Sequence, residues 1–308
     1  MVATLNRLRS LSSATYHWPV MRGPKTRVRR GTHLKLISWN TNRRKRAAVD
    51  QAAALLSRRP DVVALQEITR TTIPLLAARL RDGGLEHVAY SFSGPTGTGP
   101  RAFGVLIASR LPLVAELPRL PIPWAEKALS VVVRSGDAEV EIHTVHVPPG
   151  STNGWIKVEV LEGITRGLTP PSPRHRILCG DFNTPQHETH AGEIVTWAQR
   201  IIGDRIVLRN RLRGGAGARW DAAERAMLAG SLKDVFRTVH GYNAEEASWF
   251  LERNGRLVGR RFDHIMVSTD IRAVGCEYRH QWRLDGLSDH SAIEANLEIG
   301  SDLASRLG

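Results

Sequence analysis

The sequence has few cysteines and no long apolar segment. Its two cysteines, Cys179 and Cys276, are too few for a disulfide framework or a cysteine-rich zinc site. Such scarcity is typical of a reducing compartment, and we therefore predict a cytoplasmic location. No run approaches the roughly 18 consecutive apolar residues of a membrane-spanning helix, so we predict no membrane partner. The composition, 42% hydrophobic and 24% charged, is that of a globular protein with a sizeable core.

Acidic residues are missing from the first part of the chain. The first of them is Asp50, and twelve lysines and arginines precede it. The net charge of +13 therefore belongs to an N-terminal segment and one loop, because residues 50–308 hold 31 basic and 30 acidic side chains. Such a segment could hold polyanions, solubilise the chain or act as an Arg-rich transit peptide, and the sequence leaves these three readings open. We predict that residues 1–32 form a basic, flexible arm.

Apolar runs predict a strand-rich domain after this arm. A strand, a helix over Ala47–Ser57 and a second strand follow one another, a pattern that usually gives parallel neighbours. A glycine- and arginine-rich stretch over Leu208–Arg219 is predicted to be a loop. The predicted strands are Leu34–Trp39, Val62–Leu65, Phe103–Ala108, the hairpin Leu129–Arg134 with Val140–Val147, Arg176–Gly180, Phe262–Ser268 and Ile293–Ile299.

Acids, amides and imidazoles repeatedly stand at the ends of these apolar strands. Each could be an ordinary turn residue, but their recurrence indicates a shared cleft. Carboxylates and amide oxygens without a thiolate cluster suit Mg²⁺ or Mn²⁺, and nearby histidines could stabilise a phosphate or move protons. The residues concerned are Asn40, Gln66, Glu67, His146, Asp181, Asn183, Asp263, Asp289 and His290.

Six short motifs around these residues resemble those of the endonuclease/exonuclease/phosphatase superfamily, and they occur in the same order. The resemblance covers about residues 34–299 and also includes Leu232–Arg237 and Ser248–Phe250. The motifs are Ile37-Ser38-Trp39-Asn40-Thr41-Asn42, Leu65-Gln66-Glu67, Val145-His146-Val147-Pro148, Gly180-Asp181-Phe182-Asn183-Thr184-Pro185, Arg261-Phe262-Asp263-His264 and Leu287-Ser288-Asp289-His290.

The resemblance implies the DNase I-like fold. This is an α+β, four-layer α/β/β/α sandwich in which two packed mixed β-sheets are flanked by helices. Because one site would be assembled from Asn40 through His290, we expect a single catalytic domain over residues 33–300, followed by a tail over 301–308. A monomer is expected.

The resemblance also implies a metal site. Glu67 matches the principal ligand of a Mg²⁺ (or Mn²⁺) ion, and Asn40 and Asp289 would assist directly or through water. The basic residues that follow Asn40 would attract the substrate, and we expect Asn42, Arg43 and Arg44 to contact nucleic acid.

Five further residues match catalytic positions of the superfamily. Asp181 would orient or deprotonate the attacking water, and Asn183 would help to hold it and the phosphate. His290 would contact the scissile phosphate, with Asp263 as the carboxylate that fixes its tautomer. His146 would stabilise the phosphate or protonate the leaving oxygen; alternatively it is a hairpin residue bonded to backbone. We find no carboxylate partner for it between Tyr90 and Ala102.

The remaining histidines are expected to be structural. His143 is the better candidate for a bonded hairpin residue, and His264 stands where the superfamily often has an aromatic side chain. His175, His187 and His190 flank the Asp181 loop with no tight zinc spacing, so we interpret them as loop residues.

The superfamily name does not decide the substrate. We favour a divalent-metal-dependent phosphodiesterase acting on nucleic acid, most readily a DNA nuclease, because of the basic arm, the residues after Asn40 and the arginine-rich loop. A phosphatase or phosphodiesterase of small phosphoesters or lipid head groups is the alternative, supported by the near-neutral body of the chain. A catalytically silent binding module is disfavoured, since every expected catalytic position holds a competent side chain.

Overall fold

The computed structural model describes residues 32–92, 98–118, 120–209 and 215–300. These residues belong to one compact unit. The predicted arm, apart from Thr32, and the predicted tail lie outside the described residues, so the division of the chain into arm, catalytic domain and tail stays a prediction. No helix of the described part combines the length and the apolar character needed to cross a bilayer.

Strands and helices alternate along the described chain. The helices are α1 Ala48–Ser57, α2 Ile73–Asp82, α3 Gly150–Asn153, α4 Trp155–Leu168, α5 Gly215–Leu228, α6 Val235–His240 and α7 His280–Leu284, with 3₁₀ turns at Gly99–Arg101 and Ala125–Lys127. The strands are β1 Thr32–Asn40, β2 Val62–Thr69, β3 His87–Tyr90, β4 Phe103–Ser109, β5 Leu113–Glu116, β6 Ala128–Ser135, β7 Ala138–His146, β8 His175–Asp181, β9 His187–Glu188, β10 Ile194–Val195, β11 Gln199–Ile202, β12 Arg205–Leu208, β13 Lys233–Asp234, β14 Trp249–Arg253, β15 Arg256–Arg260, β16 Asp263–Val267, β17 Ile271–Arg279 and β18 Ala292–Ile299.

Two six-stranded sheets form the centre of the molecule. The first sheet has the order β17-β18-β1-β2-β4-β3 and the second has the order β13-β16-β8-β7-β6-β5. Each contains one parallel pair, β1 with β2 and β7 with β8, among antiparallel neighbours. Both sheets are therefore mixed, and the parallel pairs bring the carboxyl ends of four strands to the same edge.

Helices cover the outer faces of the two sheets. Side chains such as Leu36 of the first sheet and Ile142 of the second are buried together between them. Leu55 and Leu80 of α1 and α2 pack on the first sheet, whereas α4 and α5 pack on the second. The predicted four-layer DNase I-like sandwich is confirmed.

Local sequence patterns explain most of these elements. In α1 the buried residues Ala48, Gln51, Ala52 and Leu55 recur with helical spacing, so one stripe faces the sheet. In β8 buried and exposed side chains do not alternate, because helix α4 covers one face of the strand and the first sheet covers the other. Each fully buried Leu or Ile in these stripes contributes about 1.5–3 kcal/mol relative to exposure.

Three sequence-based expectations are wrong in their local detail. Strand β2 does not end at Leu65 but continues to Thr69, with a bulge at Glu67. The predicted loop over Leu208–Arg219 ends early, because residues 215–219 form the start of α5. Packing of this helix against α4 stabilises it despite the low helix propensity of the glycines in that stretch. His175 lies in β8 and His187 lies in β9 rather than in a loop, and the Nδ1 atom of His175 is 2.6 Å from Asp270 Oδ2.

Candidate active site

The polar residues at the strand ends meet at one edge of the sandwich. Asn40 ends β1 and pairs in register with Gln66 of β2. Asp181 ends β8 and lies between His146 of β7 and Asp263 of β16 in the second sheet. Because the two sheets pack face to face, these positions form the walls of one cleft.

Asp181 is the centre of this cleft. Its Oδ2 accepts a hydrogen bond from Asn40 Nδ2 at 2.9 Å and lies 3.8 Å from the Nε2 atoms of both His146 and His290. Its Oδ1 accepts a hydrogen bond from the backbone N–H of Asn183 at 2.9 Å. Asn183 Nδ2 also donates to Oδ2 at 3.3 Å, so amide donors hold both oxygens and the two imidazoles lie slightly farther away.

His290 is held by a buried carboxylate. Its Nδ1 lies 2.8 Å from Asp263 Oδ2, which leaves Nε2 facing Asp181. Burial alone would lower the pKa of His290, but the charges of Asp263 and Asp181 outweigh burial and raise the pKa to about 10. His290 is therefore an imidazolium at neutral pH. It is a fixed positive charge at the floor of the cleft.

His146 has the opposite electrostatic character. Its Nε2 lies 3.6 Å from Glu67 Oε1, and its buried Nδ1 has no hydrogen-bond partner among the described residues. Burial lowers the pKa of His146 well below its usual range, and the nearby cations Lys127, His290 and Arg43 lower it further. This imidazole is neutral at neutral pH. The carboxylates nearest to this ring are those of Glu67 and Asp181, and both lie on its Nε2 side.

Asp181 is suited to accept a proton. Burial raises the pKa of this carboxyl to about 7, with the charge of His290 opposing the shift and that of Asp263 adding to it. A base whose pKa lies near the working pH transfers protons most effectively. Two imidazoles and a carboxylate with well-separated proton affinities therefore line one cleft, which is the arrangement that acid–base chemistry needs.

Glu67 offers carboxylate oxygens beside this cluster, whereas Asn40 turns its amide nitrogen towards it. Glu67 has φ of 54°, and the bulge in β2 turns its side chain into the cleft, where Oε1 lies 3.4 Å from Asn40 Nδ2. Its buried Oε2 lies 2.9 Å from Arg43 Nε but lacks a hydrogen bond of good geometry within the described part of the chain. A buried carboxylate oxygen left in this way fits a hard cation as its partner.

Asp289 lies beside the same strand end. Ser288 Oγ donates to the Asn40 carbonyl at 2.7 Å, and Trp39 Nε1 donates to the His290 carbonyl at 2.9 Å, so both neighbours of Asp289 are bonded to β1. Asp289 itself accepts a hydrogen bond from Trp249 Nε1 at 3.3 Å. The backbone on both sides of Asp289 is thus attached to the strand that carries Asn40, while the Asp289 carboxylate itself is exposed and turned towards Trp249.

A second group of residues in the described chain could also surround an ion. Asp181, Asp263 and His290 can place one ligand atom each within 4.8 Å of one another. The Nδ1 atom of His290 already bonds Asp263, and a hard divalent cation prefers oxygen ligands to an imidazole nitrogen. The buried carboxylate oxygen of Glu67 fits such a cation better.

The predicted nucleic-acid residues lie at the mouth of the cleft. Arg43 contacts Glu67 and covers the ring of Phe103 at 4.8 Å, while Arg44 Nη1 donates to the Gly286 carbonyl at 2.7 Å. Asn42 is turned back by a bond from its N–H to Asn40 Oδ1. In the arginine-rich stretch, residues 210–214 lie outside the described part, and Arg219 is used in an ion pair with Glu162.

Sequence reasoning missed Lys127. This side chain is 1% exposed; its Nζ donates to the Phe103 carbonyl at 2.9 Å and lies 3.5 Å from the Phe103 ring centroid. The ring of His146 is 5.5 Å from the same phenyl group. Burial lowers the pKa of Lys127 to about 7. A lysine directly before the apolar run of β6 was the only signal in the sequence.

The loop after Asp181 is supported from below by a buried ion pair. Lys157 Nζ of α4 lies 3.0 Å from Glu224 Oε1 of α5 and donates to the Asn183 carbonyl at 2.8 Å. Glu224 Oε2 accepts from Thr184 Oγ1 at 2.6 Å. Two helices of the outer layer therefore fix the backbone that carries Asp181 and Asn183.

His264 supports the same loop from the second sheet. Its Nε2 lies 3.0 Å from the Thr184 carbonyl, its Nδ1 lies 2.9 Å from Asp234 Oδ2, and its ring stacks on Phe182. Both ring nitrogens are therefore used in holding the loop and strand β13 in place. His143, in contrast, bonds Ser130 Oγ at 2.8 Å in the hairpin, where a structural role was expected.

Glu188 joins this support through two arginines, and it makes the fold sensitive to acid. Arg237 and Arg261 each approach its carboxylate to 2.8 Å. Burial alone would raise the pKa of Glu188, but the arginines lower it from 4.5 to about 2. Because the folded-state pKa is depressed, this ion pair stabilises the fold above pH 4.5 and ceases to do so as the pH falls towards 2.

We expect Glu188→Gln to lower the free energy of unfolding at pH 6 by about 3 kcal/mol, because two buried arginines lose their carboxylate. The difference from the wild type should shrink steadily as the pH falls to about 2, measured by urea unfolding at each pH. Glu252→Gln, an exposed position in β14, serves as the control. A deficit that is the same at every pH would contradict the linkage.

Comparisons with known proteins bear on the family and on the fold. The family model described as the Endonuclease/Exonuclease/phosphatase family matches residues 37–290. No protein with a curated function matches the chain.

Several solved structures share the fold at low sequence identity. An AP endonuclease from Archaeoglobus fulgidus is 21% identical with a TM-score of 0.62, over 85% of this chain and 98% of that chain. TDP2 from D. rerio, complexed with single-strand DNA product, is 16% identical with a TM-score of 0.60, over 86% and 99%. The 3′ phosphatase NExo from Neisseria, bound to a product DNA hairpin, is 20% identical with a TM-score of 0.59, over 85% and 98%.

Proposed function

The chain belongs to the endonuclease/exonuclease/phosphatase family, and we propose that it is a divalent-metal-dependent phosphodiesterase that hydrolyses nucleic acid, with DNA as the favoured substrate. The observation that carries the proposal is the cleft in which Asp181 faces Asn40, His146 and the Asp263–His290 pair. The DNA named for two of the structural neighbours supports the choice of substrate.

We propose that Glu67 and Asn40, assisted by Asp289, would hold the Mg²⁺ or Mn²⁺ ion. When bound, the ion would neutralise charge on the phosphate and increase the electrophilicity of phosphorus. Arg43 would bring further positive charge to the substrate, since its guanidinium already lies beside Glu67 at the mouth of the cleft.

Asp181 would take a proton from the attacking water while the water oxygen forms a bond to phosphorus and the P–O bond to the leaving group breaks. The leaving oxygen would take its proton from solvent. The amide of Asn40 and the backbone N–H of Asn183 keep its two oxygens oriented for this step. His290, held by Asp263, would donate a hydrogen bond to a phosphate oxygen from Nε2.

Two roles were considered for His146, stabilising the phosphate and protonating the leaving oxygen, and the first suits this imidazole better. Since burial keeps its ring neutral, it has no proton to spare in the free site. It would therefore stabilise a phosphate oxygen through an N–H bond rather than protonate the leaving oxygen.

A silent binding module is a poor explanation of this cleft. Asp181 and Asp263 are 1% and 0% exposed, and burying charged groups costs several kcal/mol unless they are well compensated. A scaffold without chemistry would gain nothing from that cost. A hydrolase of small phosphoesters or lipid head groups would use the same residues and has to be separated by experiment.

We expect the protein to nick supercoiled plasmid in the presence of Mg²⁺ or Mn²⁺, and to lose this activity in EDTA and regain it with excess metal. The test compares plasmid, linear duplex, single-stranded DNA, RNA and a panel of small phosphomonoesters under the same conditions. Turnover confined to the phosphomonoesters would contradict the nuclease and favour the alternative. Activity that survives chelation would contradict the metal site.

A further inference from the structure

A cavity of about 600 Å³ opens next to the catalytic loop. It lies between the segment 185–190, the loop 244–247, the hairpin β14–β15 and helix α7. Pro185, at its edge, is two residues after Asn183. Trp249 begins the hairpin, bonds Asp289 through Nε1 at 3.3 Å and pairs in register with Arg260 of the cavity wall. Segments of the cavity wall are therefore joined to the candidate active site, through the chain at Pro185 and through Trp249.

Most of the charges around this cavity cancel one another. Glu188 is paired with Arg237 and Arg261 at 2.8 Å. Glu246 lies 3.1 Å from His280. Glu245 is an exposed rim residue, with 87% of its side chain accessible. The acidic groups thus have their own partners or face bulk water.

Two arginines of the wall differ from these paired groups. Among the described residues, no carboxylate lies within ion-pair distance of Arg260 or Arg283. The hydrogen bond that Arg260 makes runs from Nη1 to the adjacent Gly259 carbonyl at 2.9 Å, and Arg283 lies 4.3 Å from the Phe250 ring centroid with Nε 3.3 Å from Ser291 Oγ. Partial burial lowers the pKa of Arg260, because the guanidinium has lost water without gaining an anion.

An anion in this cavity would give both guanidinium groups a negatively charged partner, which the described carboxylates do not provide. Arginine forms planar, paired hydrogen bonds with phosphate oxygens, so a phosphodiester group matches them in shape and charge. A small phosphodiester held at Asp181 would leave the cavity unused. A polynucleotide would bring further phosphates of the same strand past the catalytic loop.

We propose that Arg260 and Arg283 bind a backbone phosphate of the substrate strand that flanks the scissile phosphate. This inference rests on the proposed function, because it assigns a polynucleotide to the same cleft. It makes the protein's affinity depend on substrate length and on salt.

Binding is best measured in an Asp181→Asn background, in which turnover is expected to be roughly 10²- to 10⁴-fold slower. The probe is a fluorescently labelled single-stranded DNA of about 12 nucleotides, titrated at several salt concentrations with Mg²⁺ present. We expect Arg260→Gln with Arg283→Gln to weaken binding by tenfold or more at low salt. The slope of log Kd against log salt should fall by about 0.7 for each phosphate of the single strand that the variant no longer neutralises.

Two further variants make the result specific. Arg272→Gln removes an arginine on β17 that is already paired with Glu298, and it should leave both Kd and slope unchanged. Arg260→Lys with Arg283→Lys keeps both charges and should restore most of the slope, which would show that loss of folding is not the cause.

The possible outcomes distinguish failure of the cavity assignment from failure of the proposed function. Tight, salt-dependent binding by the Asp181→Asn parent that the double glutamine variant leaves intact would overturn the cavity assignment alone. A parent that binds none of single-stranded DNA, duplex DNA and RNA would overturn the nucleic-acid substrate and the cavity assignment together.

Discussion

Asp181→Asn is expected to reduce kcat by roughly 10²- to 10⁴-fold, the range over which a general base contributes to a rate. The amide has nearly the same shape as the carboxylate and can still accept the hydrogen bond from Asn40. It cannot take a proton from water. It also removes a negative charge that raises the pKa of His290. KM should change much less than kcat, and steady-state kinetics on the preferred substrate of the panel would show this.

Asp204→Asn is the matched control for this substitution. Asp204 is an exposed residue of the turn between β11 and β12, so the same loss of charge there should leave kcat unchanged. Thermal unfolding of both variants should remain close to that of the wild type. Metal-dependent activity that persists in Asp181→Asn would mean that the catalytic base lies elsewhere.

Lys157→Met is expected to lower the free energy of unfolding by about 3–5 kcal/mol, because it leaves Glu224 as an unpaired charge in the interior. Glu224 is fully buried, so water cannot replace the lost ammonium group. The substitution also removes the donor to the Asn183 carbonyl, so kcat should fall together with stability. Urea unfolding and steady-state kinetics on the same preparation measure the two effects.

Two comparisons test the reason given for this loss. Arg219→Met breaks an exposed ion pair with Glu162 between the same two helices, and it should cost less than about 1 kcal/mol. Lys157→Met combined with Glu224→Gln removes both charges and should recover part of the stability. A loss for Lys157→Met no larger than that for Arg219→Met would contradict a buried, energetically important pair.

Local patterns in the sequence were sufficient to predict the architecture. Apolar runs located the main strands, and the polar residues at their ends, from Asn40 to His290, pointed to one cleft. The order of six motifs identified the family, and the sandwich of two mixed sheets followed from it. These features depend on neighbouring residues and on chain order, which is why a single sequence contains them. The roles of the site residues stay predictions that the kinetics above would test.

Other properties depend on residues that only folding brings together. Asn40 and Asp181 are 141 positions apart, and nothing local to either shows that they share a hydrogen bond. Nothing in the sequence distinguishes the charge of His146 from that of His290. In the fold, burial lowers the pKa of His146, whereas two carboxylates raise the pKa of His290. Desolvation and Coulomb energies depend on distance and on exclusion of water, not on position in the chain.

The same reason explains which residues were overlooked. Lys127, Lys157 and Glu224 are charged side chains that a sequence places on the surface by default, and the fold buries all three. Arg260 and Arg283 are two of many arginines in the chain, and only the packing around the cavity keeps the described carboxylates away from them. Chain order therefore determined the fold and the cleft, whereas three-dimensional packing decided each group's charge state and partner, because it alone sets how far apart the charges lie and how much water reaches them.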